Sequence, residues 1–542
     1  MNRIYFCFLL IFLSLNSIAQ NHINKTPKLV VGIVIEQMRH EMLLRYWESF
    51  GENGFKRIIN NGVLCSQAHC NYLITQNGPG HASIVTGTNP SDHGIVSDNW
   101  YNKLNNRIVG CANDPKFYFE NGKLIKNYSP QNIICSTLGD EMKLANNSRS
   151  KVVAISLNPV SSVISGGKLA NYAFWFNVAD GTWQTGNYYS DYLPSWVDNF
   201  NNKGFQDIYM DKNWASMHSL SDNYKNSLPD DNNFELGFEN YRHTFPYDLS
   251  YLKKRSGDYK YLKYSPYGNT FTKDFAISAI VNEKLGKDQY PDFLSLSFSA
   301  SNYVGQLFGP RSVEFEDVFL RLDKDLEHLI NFLDKEVGLD NVLIYVTSDR
   351  GVADVPEYLM YKKQNAGIFD GAKAVTLLNS YLSVLHKDGE WIKSYYSRQI
   401  YFNQSLIDET GVDLFELQQN VASFMVQFNG VANAFPGLTI NSTSFQSGVN
   451  QRVQNTYNQK RSGDVIVNLE PGWIEKNGKA TNSGSAYAYD THVPLIWFGW
   501  KTQQKHLDKS VEVIDIAPTI SWILNITAPN SATGKPIYDI LQ

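Results

Sequence analysis

The chain has 542 residues, 43% of them hydrophobic and 19% charged, with a formal charge of −5. That supply of apolar side chains can build a large core, which excludes an intrinsically disordered chain. A mildly acidic balance gives no bulk attraction to nucleic acid or to an anionic membrane, and nucleic acid is not expected as a partner.

The first segment, MNRIYFCFLLIFLSLNSIAQ, has Arg3, an apolar run from Ile4 to Leu15 and small residues before Ala19. This is the layout of a secretory signal peptide over residues 1–20, too short for a membrane span. Cys7 lies inside the apolar run, which argues against a lipid anchor. No later run is long enough to cross a bilayer, so no transmembrane span is expected and the protein reads as exported, periplasmic or secreted. In that setting Cys65, Cys70, Cys111 and Cys135 allow one or two disulfides in three pairings, with buried free thiols as the alternative.

Residues 28–38 (KLVVGIVIEQM) form a buried strand ending in polar residues, and residues 39–51 read as a helix. Residues 75–94, TQNGPGHASIVTGTNPSDHG, are a glycine-rich turn, a small-residue helix and a second turn. A helix start of this kind presents free N–H groups that suit a phosphate and a nucleophile. The residue at its mouth, Asn77, carries an amide where such chemistry needs a hydroxyl. Further buried strands fall at 150–158, 292–301, 341–351 and 493–500, with a long helix over 312–338. Alternating strands and helices with continuous apolar strands predict an α/β fold, a mostly parallel central sheet covered by helices on both faces. Its site should lie at the carboxyl ends of the strands. Residues about 181–270 and 356–475 break the rhythm and read as cap or lobe insertions. The aromatic residues of the first insertion suggest surface packing of loops or, more sharply, a carbohydrate or aryl groove.

The segments VVGIVIEQMR, PGHASIVTGTNPSDHGI, SNYVGQLFGPRSVEFEDVFLRLDKDL, VTSDRGVA and YAYDTHVPLIWFG, in this order, resemble the framework of the bacterial PafA-like alkaline phosphatases. The likeness runs from residue 28 to the C-terminus at 542 and implies one alkaline phosphatase-like domain. It also implies a two-zinc phosphomonoesterase: a metal-activated hydroxyl nucleophile, a second metal on the leaving oxygen, and cations or amides on the other phosphate oxygens. By this resemblance the family nucleophile, a threonine, falls on Asn77. The zinc-ligand positions fall on Glu36, Asn302, Gln306, Asp349, Arg350 and Ser483, of which Asp349 is unchanged and Glu36 conservative. The phosphate-clamp positions fall on Asp98, Asn158 and Val160.

Without a cation the carboxylates of Glu36, Asp98 and Asp349 would converge unfavourably. Three arrangements answer this. Arg350 can bridge Asp349 and Glu36 in place of a metal; calcium or magnesium can bind the all-oxygen donor set; or carboxylates can be protonated or hydrated. His81, His93 and His492 read as framework histidines, and Asn77 reads as a helix cap. Thr75 and Ser83 are the nearby hydroxyls, displaced along the turn. The sequence reading is therefore a catalytically inactive alkaline phosphatase homologue with a binding or assembly role in the cell envelope, its partner an envelope protein or a glycan, and with no cofactor. Zinc is expected only if the family activity persists. The alternative is an active metal-dependent phosphomonoesterase or phosphodiesterase with an altered site and Asp98 or Glu36 as base.

Overall fold

A computed structural model describes residues 26–541, apart from 115–117, 121–122, 126–127 and 239–241. The signal-peptide reading falls outside the described residues. At the centre lies a nine-stranded sheet: β1 (Leu29–Ile35), β2 (Val63–His69), β3 (Val152–Ser156), β4 (Tyr172–Phe176), β5 (Trp183–Gln184), β6 (Asp292–Phe298), β7 (Val342–Thr347), β8 (His492–Gly499) and β9 (Lys505–Glu512). Their spatial order is β9-β2-β8-β7-β1-β6-β3-β4-β5. Every residue of β1 is buried, and its side chains alternate between two cores. Leu29, Val31, Ile33 and Ile35 enter one, Val30 and Val34 the other. A strand covered on both faces has no polar side, which is why it reads as an unbroken apolar run.

The five strands expected from sequence all form. The sheet is mixed, however: five neighbouring pairs are parallel and three antiparallel. Strand β8 runs against both its neighbours. β2, β4, β5 and β9 were not among the strands expected from sequence. β9, with sequence KHLDKSVE, is an outer strand whose charged residues hide it from an apolar-run criterion. The 39–51 helix forms as a short α-helix, Glu41–Arg45, followed by a 3-10 turn, Trp47–Ser49.

Four helices matter for the site: α1 (Asn77–Thr86), α2 (Pro159–Gly166), α3 (Ala300–Phe308) and α4 (Val313–Glu336). α4 starts where expected, with the Ser312 hydroxyl accepting from the N–H of Phe315 at 3.1 Å.

The two irregular regions differ in kind. Within 356–475, four antiparallel strands carry helices Gly371–Leu385 and Leu414–Met425 around a separate core that includes Leu378, Trp391, Leu417 and Val467. Residues 181–270 instead feed the main core. Trp183, Trp214 and Tyr247 are fully buried, and Trp183 stacks on Phe275 at 4.4 Å. Neither the surface-packing nor the groove reading describes these three rings, whereas Tyr192 of the same region is exposed. The four cysteines are buried free thiols, which corrects the disulfide reading.

Trp183→Ala is expected to cost ~3–5 kcal/mol in urea unfolding, as for large buried aromatics. Tyr192→Ala, at a ring 84% exposed, should stay within about 0.5 kcal/mol.

Candidate functional site

The parallel strands β1, β6 and β7 end on the same edge, so the residues that follow them converge: Glu36 after β1, Ser299 and α3 after β6, Asp349 and Arg350 after β7. α1 points its first turn at the same place. Asn77 is the first residue of α1, not its cap; the cap position is Gln76. The Asn77 side chain turns inward instead, donating Nδ2–H to Asp349 Oδ2 at 3.4 Å and accepting from Ser161 Oγ at 2.9 Å. Two glycines make this approach feasible. A Cβ on Gly78 would stand 2.7 Å from Cys111 Sγ, and one on Gly80 2.5 Å from the Asp349 carbonyl oxygen. The N–H of Gly78, in the first turn of α1, donates to Asp98 Oδ1 at 2.6 Å.

Glu36 is fully buried in a girdle of hydroxyls. Its Oε1 lies 2.6 Å from Ser161 Oγ, 3.1 Å from Ser297 Oγ and 2.7 Å from Ser299 Oγ. Its Oε2 accepts from Asn302 Nδ2 at 3.0 Å. The single Ser161 proton serves either Glu36 or Asn77, which ties those two groups to one hydroxyl. Burial opposes the Glu36 charge, but His81, Arg350 and Ser161 outweigh it and hold the carboxyl at about 2. Asp349 goes the other way: burial and the Glu36 charge raise it to about 6 against the pull of Arg350 and His81. Burial also raises Asp98, opposed by Arg350 and the Gly78 N–H.

Arg350 fills the space among these groups. Its Nη1–H donates to Asp349 Oδ2, Nε–H to Ser483 Oγ at 2.8 Å and Nη2–H to Asn302 Oδ1 at 3.0 Å. Gln306 Nε2 donates to the same Asn302 oxygen at 2.7 Å. Arg350 thus binds Asp349 directly, but it meets Glu36 only through the Asn302 amide, which corrects the expected two-carboxylate bridge. Asn158 and Val160 are used otherwise: Asn158 Oδ1 caps α2 by accepting from the Val160 N–H at 3.0 Å.

His93 and His492 keep framework roles. His93 Nε2 is 3.1 Å from Ser83 Oγ, and His492 stacks on His40 and His69. Thr75 donates to the Ser485 carbonyl, so neither Thr75 nor Ser83 offers a free hydroxyl at Asn77. His81 also makes a framework contact, and it lies beside the site. Its Nδ1 contacts Ser165 Oγ at 3.0 Å, while Nε2 stands 3.9 Å from both Glu36 Oε1 and Asp349 Oδ2 with no hydrogen-bond partner among the described residues. The sequence analysis also missed the serine girdle. Its signal was present: Ser295, Ser297, Ser299 and Ser301 recur with period two along and just beyond an otherwise apolar strand.

Zinc binds through imidazole, thiolate and carboxylate. Of the six positions at which the resemblance puts ligands, only Glu36 and Asp349 present such a donor, and Asp349 is already bound by a guanidinium. This donor set does not fit a zinc pair. Among the described residues, no group of three or more His, Cys, Asp or Glu side chains is placed to hold a metal ion.

Arg350→Met should leave buried carboxylates without their cation and destabilise the fold by ~3–5 kcal/mol near neutral pH. The folded pKa of Asp349, about 6, lies above its ordinary 3.8. Its favourable contribution is therefore complete below the lower value and lost as pH rises through the higher. The deficit of the variant should be larger at about pH 8 than at about pH 5 in urea titrations; a deficit independent of pH would contradict this electrostatic account.

Comparison with known proteins agrees with this architecture. The type I phosphodiesterase / nucleotide pyrophosphatase family matches residues 30–492. A Myroides odoratus protein named calcium-transporting ATPase is 35% identical over 537 residues, 98% of this chain and 97% of its own length. Alkaline phosphatase PafA of Elizabethkingia meningoseptica is 34% identical over 523 residues, 95% of this chain and 94% of its own. The crystal structure of wild-type PafA superposes with a TM-score of 0.91 at 33% identity, covering 95% of this chain and 99% of that one. The chain belongs to the type I phosphodiesterase / nucleotide pyrophosphatase family and, within it, to the PafA-like alkaline phosphatases.

Proposed function

We propose that this chain is an exported pseudophosphatase: an alkaline phosphatase fold that does not turn over phosphomonoesters and serves a binding or assembly role in the cell envelope. The observation that carries this reading is the placement of Arg350, whose guanidinium contacts Asp349, Asn302 and Ser483. These are three of the positions at which the family resemblance puts zinc ligands. A fixed cation there repels a divalent metal and leaves no open coordination position among the side chains it binds.

The other catalytic requirements fail independently. An amide at position 77 has no ionisable O–H with which to form a phospho-enzyme. Asp98 sets a carboxylate against the charge of a phosphate dianion, and a clamp position that needs a cation carries the Asn158 helix cap instead. The fully buried Glu36, wrapped in serine hydroxyls and the Asn302 amide, has its hydrogen-bonding capacity met by protein groups. Export rests on the N-terminal leader read from the sequence.

Metal content by mass spectrometry on protein purified without chelators, with turnover of p-nitrophenyl phosphate and bis-p-nitrophenyl phosphate on the same sample, tests the reading. The expected outcome is no stoichiometric zinc and no chelator-sensitive turnover, with Asn77→Thr alone equally inert. Two equivalents of zinc with chelator-sensitive hydrolysis would overturn it in favour of an active phosphomonoesterase or phosphodiesterase with an altered site.

A further inference from the structure

The lobe within 356–475 meets the main domain at the tip of a hairpin. Strands Ile392–Tyr396 and Gln399–Phe402 pair antiparallel with Tyr396 opposite Gln399, so Ser397 and Arg398 make a two-residue turn. Both are left-handed, with φ of 49° and 59°. A turn with positive φ at both positions favours asparagine and glycine, so a serine and an arginine held there are strained and must be fixed by their surroundings. The fixing contacts are present. The Arg398 carbonyl accepts from the Val467 N–H at 2.9 Å, and the Ser397 hydroxyl accepts from Nε2 of Gln76, the cap residue of α1, at 3.3 Å.

This turn delivers Arg398 to a small cleft that it lines together with Leu469, Trp473, Asn482, Ser483 and Gly484. Arg398 is only 6% exposed, yet its guanidinium has no hydrogen-bond or ion-pair partner among the described residues, and its nitrogens are not sealed from solvent. The 482–484 loop closes against it. The Asn482 carbonyl accepts from the Ala353 N–H at 3.1 Å, which ties the loop to the segment after β7. Gly484 has φ of 119°, and a Cβ there would stand 3.2 Å from Arg398 Nη2. Conformation and close approach both call for glycine at that position.

A guanidinium this buried with its donors unmet is costly. The groups beside it add further donors. The Asn482 side-chain amide has no hydrogen-bond partner among the described residues. Ser483 Oγ accepts from Arg350 Nε at 2.8 Å, which leaves its own proton free to donate. Two acids, Glu475 and Asp490, also line the cleft, and neither forms an ion pair with Arg398. Asp490 Oδ2 accepts from the N–H groups of Gly484 and Ser485 at 3.1 and 2.7 Å. Burial pushes the Glu475 carboxyl up, towards its neutral form, against the pull of Arg398. Acids at this range disfavour a doubly charged guest and leave room for a single negative charge on the guanidinium.

We propose that Arg398, Asn482 and Ser483 form a binding site for a small, singly charged carboxylate. A planar two-oxygen head matches the guanidinium fork, and the amide and hydroxyl supply the remaining donors. The site shares Ser483 with the Arg350 centre, but its charge comes from the lobe. It stands whether or not that centre turns over phosphomonoesters.

The test titrates the full chain, in a buffer free of carboxylates, with sodium acetate, and follows saturation-transfer NMR of the acetate methyl group and thermal unfolding. Sodium chloride and sodium sulfate at matched ionic strength are the comparisons. The expected result is a saturable acetate signal with a rise in Tm beyond that in chloride, and a weaker response to sulfate. Arg398→Met should weaken acetate binding at least about tenfold and Asn482→Ala about threefold. Arg398→Gly is the second variant. Glycine suits the left-handed backbone at 398, so this variant folds without the strain while losing acetate to the same extent. Acetate acting no differently from chloride, or acetate bound equally well by Arg398→Met and Arg398→Gly, would overturn the proposal. Sulfate bound more tightly than acetate would overturn the assignment to a singly charged carboxylate.

Discussion

The buried contact between Arg350 and Asp349 holds the centre of this molecule together. Three parallel strands end at one edge of the sheet and deliver Glu36, Asn302 and Asp349 into a volume that water does not reach. Carboxylates packed this closely in a low-dielectric interior need a compensating charge. The guanidinium supplies it as a rigid planar fork, donating in three directions to Asp349, Asn302 and Ser483. Asn302 then passes the ordering on, accepting from Arg350 through its oxygen and donating to Glu36 through its nitrogen.

Around that contact the neighbouring groups fall into a consistent network. Glu36 is longer than an aspartate and reaches the hydroxyls of Ser161, Ser297 and Ser299, so its charge is met by hydrogen bonds as well as by distant cations. Asn77 offers both an acceptor and a donor, which lets it join Ser161 to Asp349. The opposite pKa directions of Glu36 and Asp349 follow from this division: one carboxylate is solvated by hydroxyls, whereas the other has burial and a neighbouring anion against it.

The family framework surrounds this network. The glycines of the α1 turn still let the helix start abut Asp349, and α4 still begins at its serine cap. Framework and chemistry are separable because they rest on different forces. The fold is held by apolar contacts spread over the strands and helices, while catalysis depends on a few donor atoms in exact positions. A PafA-like fold with a TM-score of 0.91 to wild-type PafA is therefore held by contacts that do not depend on the donor atoms at its centre.

Much of this was legible in one dimension. Continuous, largely apolar runs marked β1, β3, β6, β7 and β8 because a strand covered on both faces has no solvent-facing polar side. Residue identity alone put an amide at position 77 and a cation at position 350. The sequence could not reveal strand direction, so it did not show that β8 runs against both its neighbours; nor could it show that most aromatic residues of 181–270 turn into the core. It gave no hint that His81 lies equidistant from two carboxylates. The physical reason is common to all of these. Burial and periodicity are properties of a local stretch of chain, whereas charge compensation depends on distances between side chains that only tertiary packing sets.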